Sequence, residues 1–306
     1  MRHAFLIIAH SNWWQLKKLI ECLDSENHDI YVHIDKKSVD FNEKYFENCT
    51  DESSVRFYQE YKVYWGGFSV VQVELFLFEK AYDKHYDYYH VISGMDLPLK
   101  NNKEIDDFFT NNKGKEFILF DDHALNSNPE IRRRTRYYHF LQNYRRRYNN
   151  IWKNNFFTFC ERVLLVIQIL FRVNRVRKLD WKIKYGSNWV SITDKLVNVI
   201  LDNKEKITKI FKYTNCSDEL FVQTIAYNCG FINRIYCLKN GQTSNVRFID
   251  WERGKNGNPY TFKIDDLEVL SKANDMDTNL FARKFSETVD KKVIEEILLA
   301  LKSERI

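Results

Sequence analysis

The sequence predicts an α/β fold with a mostly parallel central sheet. Short apolar runs at 5–9 and 30–34 have the length of buried strands, and residues 13–23 between them have helical spacing of apolar side chains. Strands that alternate with helices are typical of right-handed β-α-β units. The chain has 306 residues, 44% of them hydrophobic, with 3 Pro and 9 Gly, which argues against linkers or a repeat array. We therefore expect a single domain over residues 1–306.

Further elements continue this alternation. Strands are predicted at 55–58, 88–92, 117–120, 189–192 and 245–250, and helices at 68–82, around 105–109, at 194–201 and at 288–303. In open α/β sheets ligands bind at the carboxyl ends of the strands. Polar residues at such predicted ends are His10, Asp35, Ser93 to Asp96, and Asp121 with Asp122. We assign residues 1–125 to a ligand-binding half and 126–306 to a second half.

Positive charge is concentrated in one region of the chain. The net charge is +5, yet residues 130–184 hold 15 Lys or Arg against 3 acidic residues, so the remainder is at −7. This asymmetry predicts an anionic partner for the segment 132–178. Arginines interleaved with aromatics are also found in nucleic-acid-binding modules, but no signature of such a fold accompanies them.

An apolar run at 156–173 ends in Arg172, Arg175, Arg177 and Lys178. Two interpretations remain open at this stage. The run is either a buried core helix, or an interfacial helix on an anionic bilayer whose basic flanks contact lipid headgroups.

The cysteine pattern and the N-terminus favour a cytoplasmic protein. Six cysteines lack the C-x-x-C spacing of a zinc site or a dense disulfide framework. The apolar run after Met1-Arg2-His3 is too short for a signal peptide, and no stretch reaches the roughly twenty apolar residues of a transmembrane helix.

The stretch 215–223 combines two adjacent carboxylates with a predicted helix start. Apolar residues from Leu220 onward predict a buried helical face, with Asn215 or Ser217 as the N-cap. Asp218 and Glu219 would lie in the first turn, where the helix dipole favours ionised carboxylates. A general base suits this position, although acidic residues are common in first turns for electrostatic reasons alone.

Eight short motifs occur in order along the chain. They are AFLIIAH at 4–10, YVHIDKKS at 31–38, VYWGGFS at 63–69, SGMDLPL at 93–99, GSNW at 186–189, SDE at 217–219, VRFIDW at 246–251 and LFARKF at 280–285. Together they resemble the core-2/I-branching glycosyltransferases (glycosyltransferase family 14), which include β-1,6-N-acetylglucosaminyltransferases and are similar to the peptide xylosyltransferases. The resemblance covers almost the whole chain.

The resemblance implies a GT-A-like fold, a nucleotide-sugar donor, inversion at the anomeric carbon and catalysis without a metal or other cofactor. It makes Glu219 the general base, and Asp218 a capping, orienting or acceptor-binding residue. Lys284 would stabilise the leaving diphosphate, with Arg283 beside it. Glu219 and Lys284 lie 65 positions apart in the sequence. We expect them to face each other across a donor-sized cleft.

Other donor and acceptor residues follow from the same resemblance. His10 and Asp35 would hold the uridine half of the donor. The family's second diphosphate-binding base is absent from residues 259–262, which leaves Lys263 or the arginines at 132–136, of which Arg132 and Arg136 are the candidates. Trp251 and Trp189 are candidate acceptor-binding residues, with a core role as the alternative for Trp251. Asp121, Asp122 and His123 form the one run suited to a metal such as Mg²⁺ or Mn²⁺.

The predicted function is transfer of N-acetylglucosamine from UDP-N-acetylglucosamine in β linkage to a hydroxyl of a glycan. We expect a bacterial enzyme of surface-polysaccharide biosynthesis with a lipid-linked acceptor, peripheral on the inner face of the plasma membrane and without a nucleic-acid partner. The alternatives are another donor, such as UDP-xylose, UDP-galactose or UDP-glucose, and a non-enzymatic basic module that binds membrane or nucleic acid.

Overall fold

A computed structural model describes residues 1–144, 150–238, 244–255 and 257–303. The arginines 145–147 and the start of the predicted loop at 256 lie outside the described residues. The central sheet has five strands in the order β3-β2-β1-β4-β6. These are β1 His3–Ala9, β2 His28–Ile34, β3 Ser54–Tyr58, β4 Tyr88–Ser93 and β6 Ser191–Thr193. The first four are parallel and β6 is antiparallel to β4.

This arrangement confirms the predicted α/β fold with a mostly parallel central sheet. β1 and β2 are buried over nearly their whole length, which explains why their sequences are apolar on both faces. A second sheet has the order β5-β8-β7. Its strands are β5 Asp96–Pro98, β7 Arg247–Ile249 and β8 Phe281–Arg283, with β8 parallel to β7 and antiparallel to β5. Both sheets therefore combine strands from the two halves of the chain. The division at residue 125 stays a prediction.

The α-helices lie around these sheets. In chain order they are α1 Trp13–Cys22, α2 Ser69–Tyr82, α3 Asn102–Asn111, α4 Asp122–Ser127, α5 Pro129–Arg136, α6 Ile151–Leu170, α7 Asp194–Asp202, α8 Lys204–Phe211, α9 Phe221–Asn228, α10 Leu267–Asn274 and α11 Lys291–Ser303. Local sequence sets several of their starts. Asn101 and Glu104 form a capping box at α3, and Thr193 caps α7. Among the described residues, none of the helices is long and apolar enough to cross a bilayer.

Two hydrophobic cores lie on opposite faces of the central sheet. Alternate residues of β1 enter each of them: Leu6 joins α2, α7 and α9, whereas Phe5 and Ile7 join α1, α3 and α11. The second sheet, through Phe281 and Ala282 of β8, belongs to the latter core. The ligand edge formed by the carboxyl ends of β1, β2 and β4 lies between the two sets of helices.

The predicted strand at 117–120 is wrong. Phe117 bridges Ser191 and Phe120 bridges Gly186, but no continuous ladder forms between them. The reason is a very close backbone approach at Gly186, where a Cβ atom would lie 1.7 Å from the carbonyl oxygen of Leu119. This contact replaces regular pairing and requires glycine.

Candidate active site

Residues 215–220 form a tight reversal rather than the predicted first turn of one helix. Ser217–Glu219 is a single 3₁₀ turn, and α9 begins at Phe221. The predicted N-cap is wrong, because the position before the turn is Cys216, whose φ is 49°, and neither Asn215 nor Ser217 caps. The Cys216 N–H donates to the Gly66 carbonyl oxygen at 2.8 Å. The loop carrying Gly66, rather than a side-chain cap, therefore fixes where the two carboxylates lie.

Glu219 contacts a guanidinium and lies against a tyrosine. Arg134 of α5 donates to Glu219 Oε2 at 2.5 Å, and both side chains are partly exposed. The Glu219 carbonyl oxygen accepts from the Gly186 N–H at 3.0 Å. Burial and the negative charge of Glu219 raise the pKa of Tyr185, which places this phenol beside the carboxylate. Glu219 thus has a partly solvent-accessible carboxylate held in place from two directions.

Asp218 has a different environment from its neighbour. Its Oδ1 atom is buried and has no hydrogen-bond partner among the described residues. Burial, and then the charge of Glu219, raise the pKa of Asp218 to about 7. Glu74 of α2 is also buried, with both carboxyl oxygens unpartnered in the described part of the chain. Burial and the proximity of Asp218 raise the pKa of Glu74 well above its usual value. Burial therefore favours the protonated form of both carboxyls.

Of the arginines in α5, the one that reaches the carboxylates is Arg134. Arg132 is exposed and donates to the Asn126 carbonyl oxygen, and Arg136 is exposed with its guanidinium over the Tyr137 ring. Neither contacts Glu219. Lys263, the other predicted substitute, is exposed as well.

The predicted donor residues lie where β1 and β2 end. The Asp35 carboxylate is buried and accepts from the backbone N–H groups of Lys37 at 2.9 Å and Val63 at 3.2 Å. The Lys37 ammonium lies 3.2 Å from the same carboxylate. Asp35 therefore ties the loop around Val63 to the sheet edge. Burial lowers the pKa of His10, opposed by Asp35 and reinforced by Lys284, which places all three groups in one electrostatic neighbourhood.

Arg283 and Lys284 follow at the end of β8. Arg283 donates to Asp96 Oδ1 at 2.6 Å and to the hydroxyl of Ser93, and its guanidinium lies 4.4 Å from the centre of the Trp189 ring. Lys284 is half-buried, and burial followed by the charge of Arg283 lowers the pKa of its ammonium. Its Nζ makes no hydrogen bond to the residues that the structure describes. The Arg283 guanidinium is thus held by protein groups, whereas the Lys284 ammonium can contact a ligand.

The two tryptophans have different environments. Trp251 is 57% exposed just beyond β7, whose Ile249 pairs with Arg283, so the indole lies near the Lys284 end of the second sheet. This exposure removes the alternative of a core role. Trp189 is 8% exposed and lies under the Arg283 guanidinium, so it forms part of the floor.

Two segments connect the carboxylates with the basic side. The loop 61–67 contacts Asp35 through Val63 and Cys216 through Gly66. Residues 186–189 contact Glu219 through Gly186 and Arg283 through Trp189. His10, Asp35, Lys284 and Trp189 thereby belong to one continuous region with Glu219. That Glu219 and Lys284 face one another across a donor stays a prediction.

Two of the three side chains in the run at 121–123 have partners within the protein. Asp121 caps α4 through the Ala124 N–H at 2.7 Å, and Asp122 pairs with Lys184 at 2.7 Å. His123 is exposed. Within the described residues these three side chains do not form a cluster with metal-ligand spacing.

Several side chains of the site were not singled out by sequence reasoning. In the sequence Arg134 is one of a group of arginines, and no prediction assigns a role to Tyr185, Glu74 or the 55% exposed Trp65. The spacing of α5 contains a signal for Arg134, because it lies three residues after Ile131, the buried apolar anchor of that helix. Trp65 lies in the VYWGGFS motif next to the Gly66 that holds Cys216.

Comparisons with known proteins identify the family of this chain. The sequence model described as Core-2/I-Branching enzyme matches residues 3–275. Xylosyltransferase sqv-6 of Caenorhabditis briggsae is 25% identical over 92% of this chain and 34% of its own length. Xylosyltransferase 2 of Homo sapiens is 22% identical over 96% of this chain and 33% of its own length.

The chain therefore spans about a third of the length of these curated relatives. Among solved structures, the apo form of mouse xyloside xylosyltransferase 1 aligns with a TM-score of 0.37 and 9% identity, covering 82% of this chain and 88% of that one. The match of the family model over most of the sequence is the decisive result. The chain belongs to the core-2/I-branching enzyme family.

Proposed function

We propose that this protein is an inverting glycosyltransferase that moves a sugar from a UDP-sugar to a hydroxyl of a glycan, with Glu219 as general base. The observation that carries the proposal is the contrast between two adjacent carboxyls. Glu219 is partly exposed and paired with Arg134, whereas Asp218 has a buried carboxyl oxygen without a partner among the described residues and a raised pKa. A base must reach its substrate, and the partly exposed carboxylate of Glu219 can do so, whereas burial favours the protonated form of Asp218.

In the proposed reaction an acceptor hydroxyl attacks the anomeric carbon while Glu219 takes its proton. The bond between that carbon and the diphosphate breaks in the same displacement, so a single carboxylate suffices. Two adjacent residues cannot flank a glycosidic bond as the paired carboxyls of a glycosidase do. Arg134 orients the carboxylate of Glu219, and exposed Trp251 offers an apolar ring to the acceptor sugar.

Lys284 is the proposed counter-charge for the leaving diphosphate. Its ammonium is half-buried, close to His10, and unpaired among the described residues, whereas the Arg283 guanidinium is held by Asp96. A preorganised cation stabilises the negative charge that develops on the departing phosphate. We propose that this side chain replaces a divalent metal, with His10 and Asp35 at the uridine.

Two donors are weighed for the sugar itself. The resemblance to branching enzymes favours N-acetylglucosamine as the transferred sugar. The relatives named above are called xylosyltransferases, which favours xylose. A thermal-shift screen of UDP-N-acetylglucosamine, UDP-xylose, UDP-galactose and UDP-glucose, each with and without EDTA, separates them, because a ligand that binds the folded state raises Tm. Stabilisation that disappears with EDTA would contradict metal independence.

The catalytic test is a Glu219→Gln substitution assayed with the donor found by that screen. We expect transfer to fall by roughly 10²–10⁴-fold because the proton acceptor is lost. UDP-sugar stabilisation should persist, since the charge removed is on the acceptor side. Glu130→Gln, an exposed glutamate of α5, is the matched control and should retain activity. Near-normal transfer by the Glu219→Gln variant would refute the assignment.

We further propose that α6 docks on an anionic membrane and brings the enzyme to a lipid-linked acceptor. Apolar side chains of this helix face outward, and polar ones face the protein. Its two buried side chains are polar: Glu161 accepts from His139 at 2.8 Å, and Gln168 bonds both the N–H and the carbonyl of Tyr138, at 2.8 and 2.9 Å. The buried-core interpretation of this segment is therefore wrong.

The outward face of α6 is apolar and defines a docking face. Its exposed large side chains are Ile151, Trp152, Phe156, Phe159, Val163, Val166, Ile167, Ile169, Leu170 and Phe171. Trp152 is 81% exposed and Phe171 79%. Exposed Tyr138 and Phe140, stacked with ring centres 5.5 Å apart, extend it. An apolar face of this size normally contacts another molecule.

The charges around the docking face favour lipid over a protein partner. Lys153, Arg162, Arg172, Arg177 and Lys178 are exposed on or beside it. Apolar and aromatic side chains flanked by cations match the interface of an anionic bilayer, where each basic residue near the surface adds about 1 kcal/mol.

Vesicle flotation tests this second proposal. We expect binding to vesicles containing anionic phosphatidylglycerol, weaker binding at high salt, and loss of binding when Phe159 and Val166 are both changed to Ser. Val269→Ser, an exposed apolar residue of α10, is the control. Vesicle binding unchanged in the double variant, or a stable dimer that the double variant dissociates, would contradict the proposal. Transfer to a soluble acceptor should be unaffected by the double variant.

A further inference from the structure

A compact group of histidines and a carboxylate lies at the amino-terminal edge of the central sheet. His3 begins β1, His28 begins β2, and Asp106 projects from α3. Asp106 Oδ1 lies 2.9 Å from His28 Nε2 and 3.3 Å from His3 Nε2. All three ligand atoms fall within 4.8 Å of one another. Both imidazoles are fully buried, and Asp106 is partly exposed.

The hydrogen bonds of His28 determine where its proton lies. Its Nδ1 is 2.9 Å from the Leu23 carbonyl oxygen, which only accepts, so Nδ1 must carry a hydrogen. In a neutral imidazole the lone pair is then on Nε2, directed at the Asp106 carboxylate. Two electron-rich atoms 2.9 Å apart need a positive centre between them, which is either a proton shared by the ring and the carboxyl or a metal ion.

His3 adds a second nitrogen to the same point. Its Nδ1 is 2.9 Å from His90 Nε2, and His90 Nδ1 is 2.8 Å from the Ser191 hydroxyl. The remaining nitrogen, Nε2, is buried and has no hydrogen-bond partner in the described part of the chain. It is aimed at the side of Asp106 that His28 contacts.

Each of the three potential ligands also has a supporting contact. Leu23 orients His28, His90 orients His3, and the Asn27 amide donates to Asp106 Oδ2 at 2.9 Å. A backbone carbonyl behind one imidazole and a second shell of hydrogen bonds are the usual support of metal ligands. The two separations that involve Asp106, 2.9 and 3.3 Å, are close to the roughly 3.3 Å edge of a tetrahedron with metal bonds of about 2.0 Å, and the two ring nitrogens lie within 4.8 Å of one another.

We propose that His3, His28 and Asp106 bind one divalent transition-metal ion, of the class represented by Zn²⁺. Two imidazoles and a carboxylate are a ligand set that Zn²⁺ accepts, with water in the fourth position on the exposed side of Asp106. The site is distinct from the proposed catalytic centre, because His3 and His10 lie at opposite ends of β1. Its role is structural: the ion connects α3 with the first residues of β1 and β2.

The test uses the purified chain after removal of metals by a chelator. We expect it to take up one equivalent of Zn²⁺, measured by elemental analysis after gel filtration, and to show a higher Tm than the metal-free protein. Mg²⁺ should have no effect, since it prefers oxygen ligands. Asp106→Asn should weaken Zn²⁺ binding at least tenfold, and Asp107→Asn, its exposed neighbour on α3, should bind as the wild type does.

Two outcomes would overturn the proposal. The first is no Zn²⁺ uptake by the wild-type chain, together with a Tm that Zn²⁺ does not change; the cation between His28 and Asp106 is then a proton. The second is equal Zn²⁺ uptake by wild type and Asp106→Asn, which would assign the binding to surface histidines such as His123. A Co²⁺-loaded sample gives an independent readout, because its visible absorption reports tetrahedral nitrogen and oxygen ligation and should be lost in Asp106→Asn whatever that variant's stability.

Discussion

Asp218 and Glu219 show how two adjacent carboxyls acquire different chemistry from their surroundings. The 3₁₀ turn directs Glu219 to Arg134 and partly to solvent, and directs Asp218 to the interior beside Glu74. Burial disfavours the charged form of a carboxyl, and a neighbouring negative charge disfavours it further. Ionisation of Asp218 therefore costs more free energy in the folded protein than in the unfolded chain, where its pKa is that of an ordinary aspartate.

This raised pKa predicts a loss of stability as the pH increases. Asp218 has a folded-state pKa of about 7 against 3.8 for an ordinary aspartate, so its contribution is intact below pH 4 and is lost as the pH rises through 7. Between pH 5 and pH 8 we expect the wild type to lose on the order of 2 kcal/mol at this position. Asp218→Asn should remove that loss.

Urea unfolding at pH 5, 6, 7 and 8 measures the effect as the difference between wild type and Asp218→Asn. Glu116, whose pKa burial raises to about 7 without a contribution from Asp218, titrates in both proteins and cancels. Asp265→Asn, at an exposed position, is the control and should follow the wild type. Parallel pH profiles for wild type and Asp218→Asn would show that Asp218 titrates as an ordinary aspartate.

The part of this site that sequence could predict is the part carried by motifs. Glu219, Lys284 and Asp35 were each located by short runs of neighbouring residues. Arg134 follows the apolar Ile131 at helical spacing, which distinguishes it from Arg132 and Arg136, but only the fold shows that this face of α5 reaches the carboxylates. Glu74 was hidden for a related reason: it lies in a helix whose other inward residues are apolar, and only the fold places it against Asp218.

Among the elements, α6 marks the limit of reasoning from periodicity. Its sequence contains a polar stripe, Asn154, Glu161 and Gln168, that repeats every seven residues, and its other polar residues are Lys153, Asn155, Thr158 and Arg162. Such a stripe shows that the helix has two faces, but either face could be the inner one. The partners of Glu161 and Gln168 decide the matter, and they come from residues 138–141, which have no regular structure of their own.

The element boundaries show a second limit. The central parallel strands were predicted within one or two residues, because a strand buried on both faces is a continuous apolar run. β6 and the region 117–120 were less well predicted, since their pairing depends on Gly186 and on distant backbone contacts. Local pattern therefore identifies the parallel core of the fold and fails where the ladder is interrupted.

At the scale of the whole molecule, the central sheet is shared by two cores that recruit different parts of the chain. One contains α2, α7, α8 and α9, and the other contains α1, α3, α10, α11 and the second sheet. Since Leu6 and Ile7 of β1 enter opposite cores, neither core can lose its packing without exposing one face of the same strand. We infer that the two cores unfold together.

This inference predicts one unfolding transition that responds to mutations in either core. Ile294 of α11 and Ile225 of α9 are both fully buried, on opposite faces of the sheet. Truncating either to Ala should cost about 2–5 kcal/mol, through lost burial and the cavity left behind. Leu299→Ala is the control, because that side chain is 61% exposed and its loss should change stability by less than about 0.5 kcal/mol. Differential scanning calorimetry, together with urea unfolding followed by tryptophan fluorescence and circular dichroism, measures both the shift and the number of transitions. If Ile294→Ala separated an early transition from an unchanged main one, the α11 core would be an independent unit, and the shared sheet would not couple the two faces.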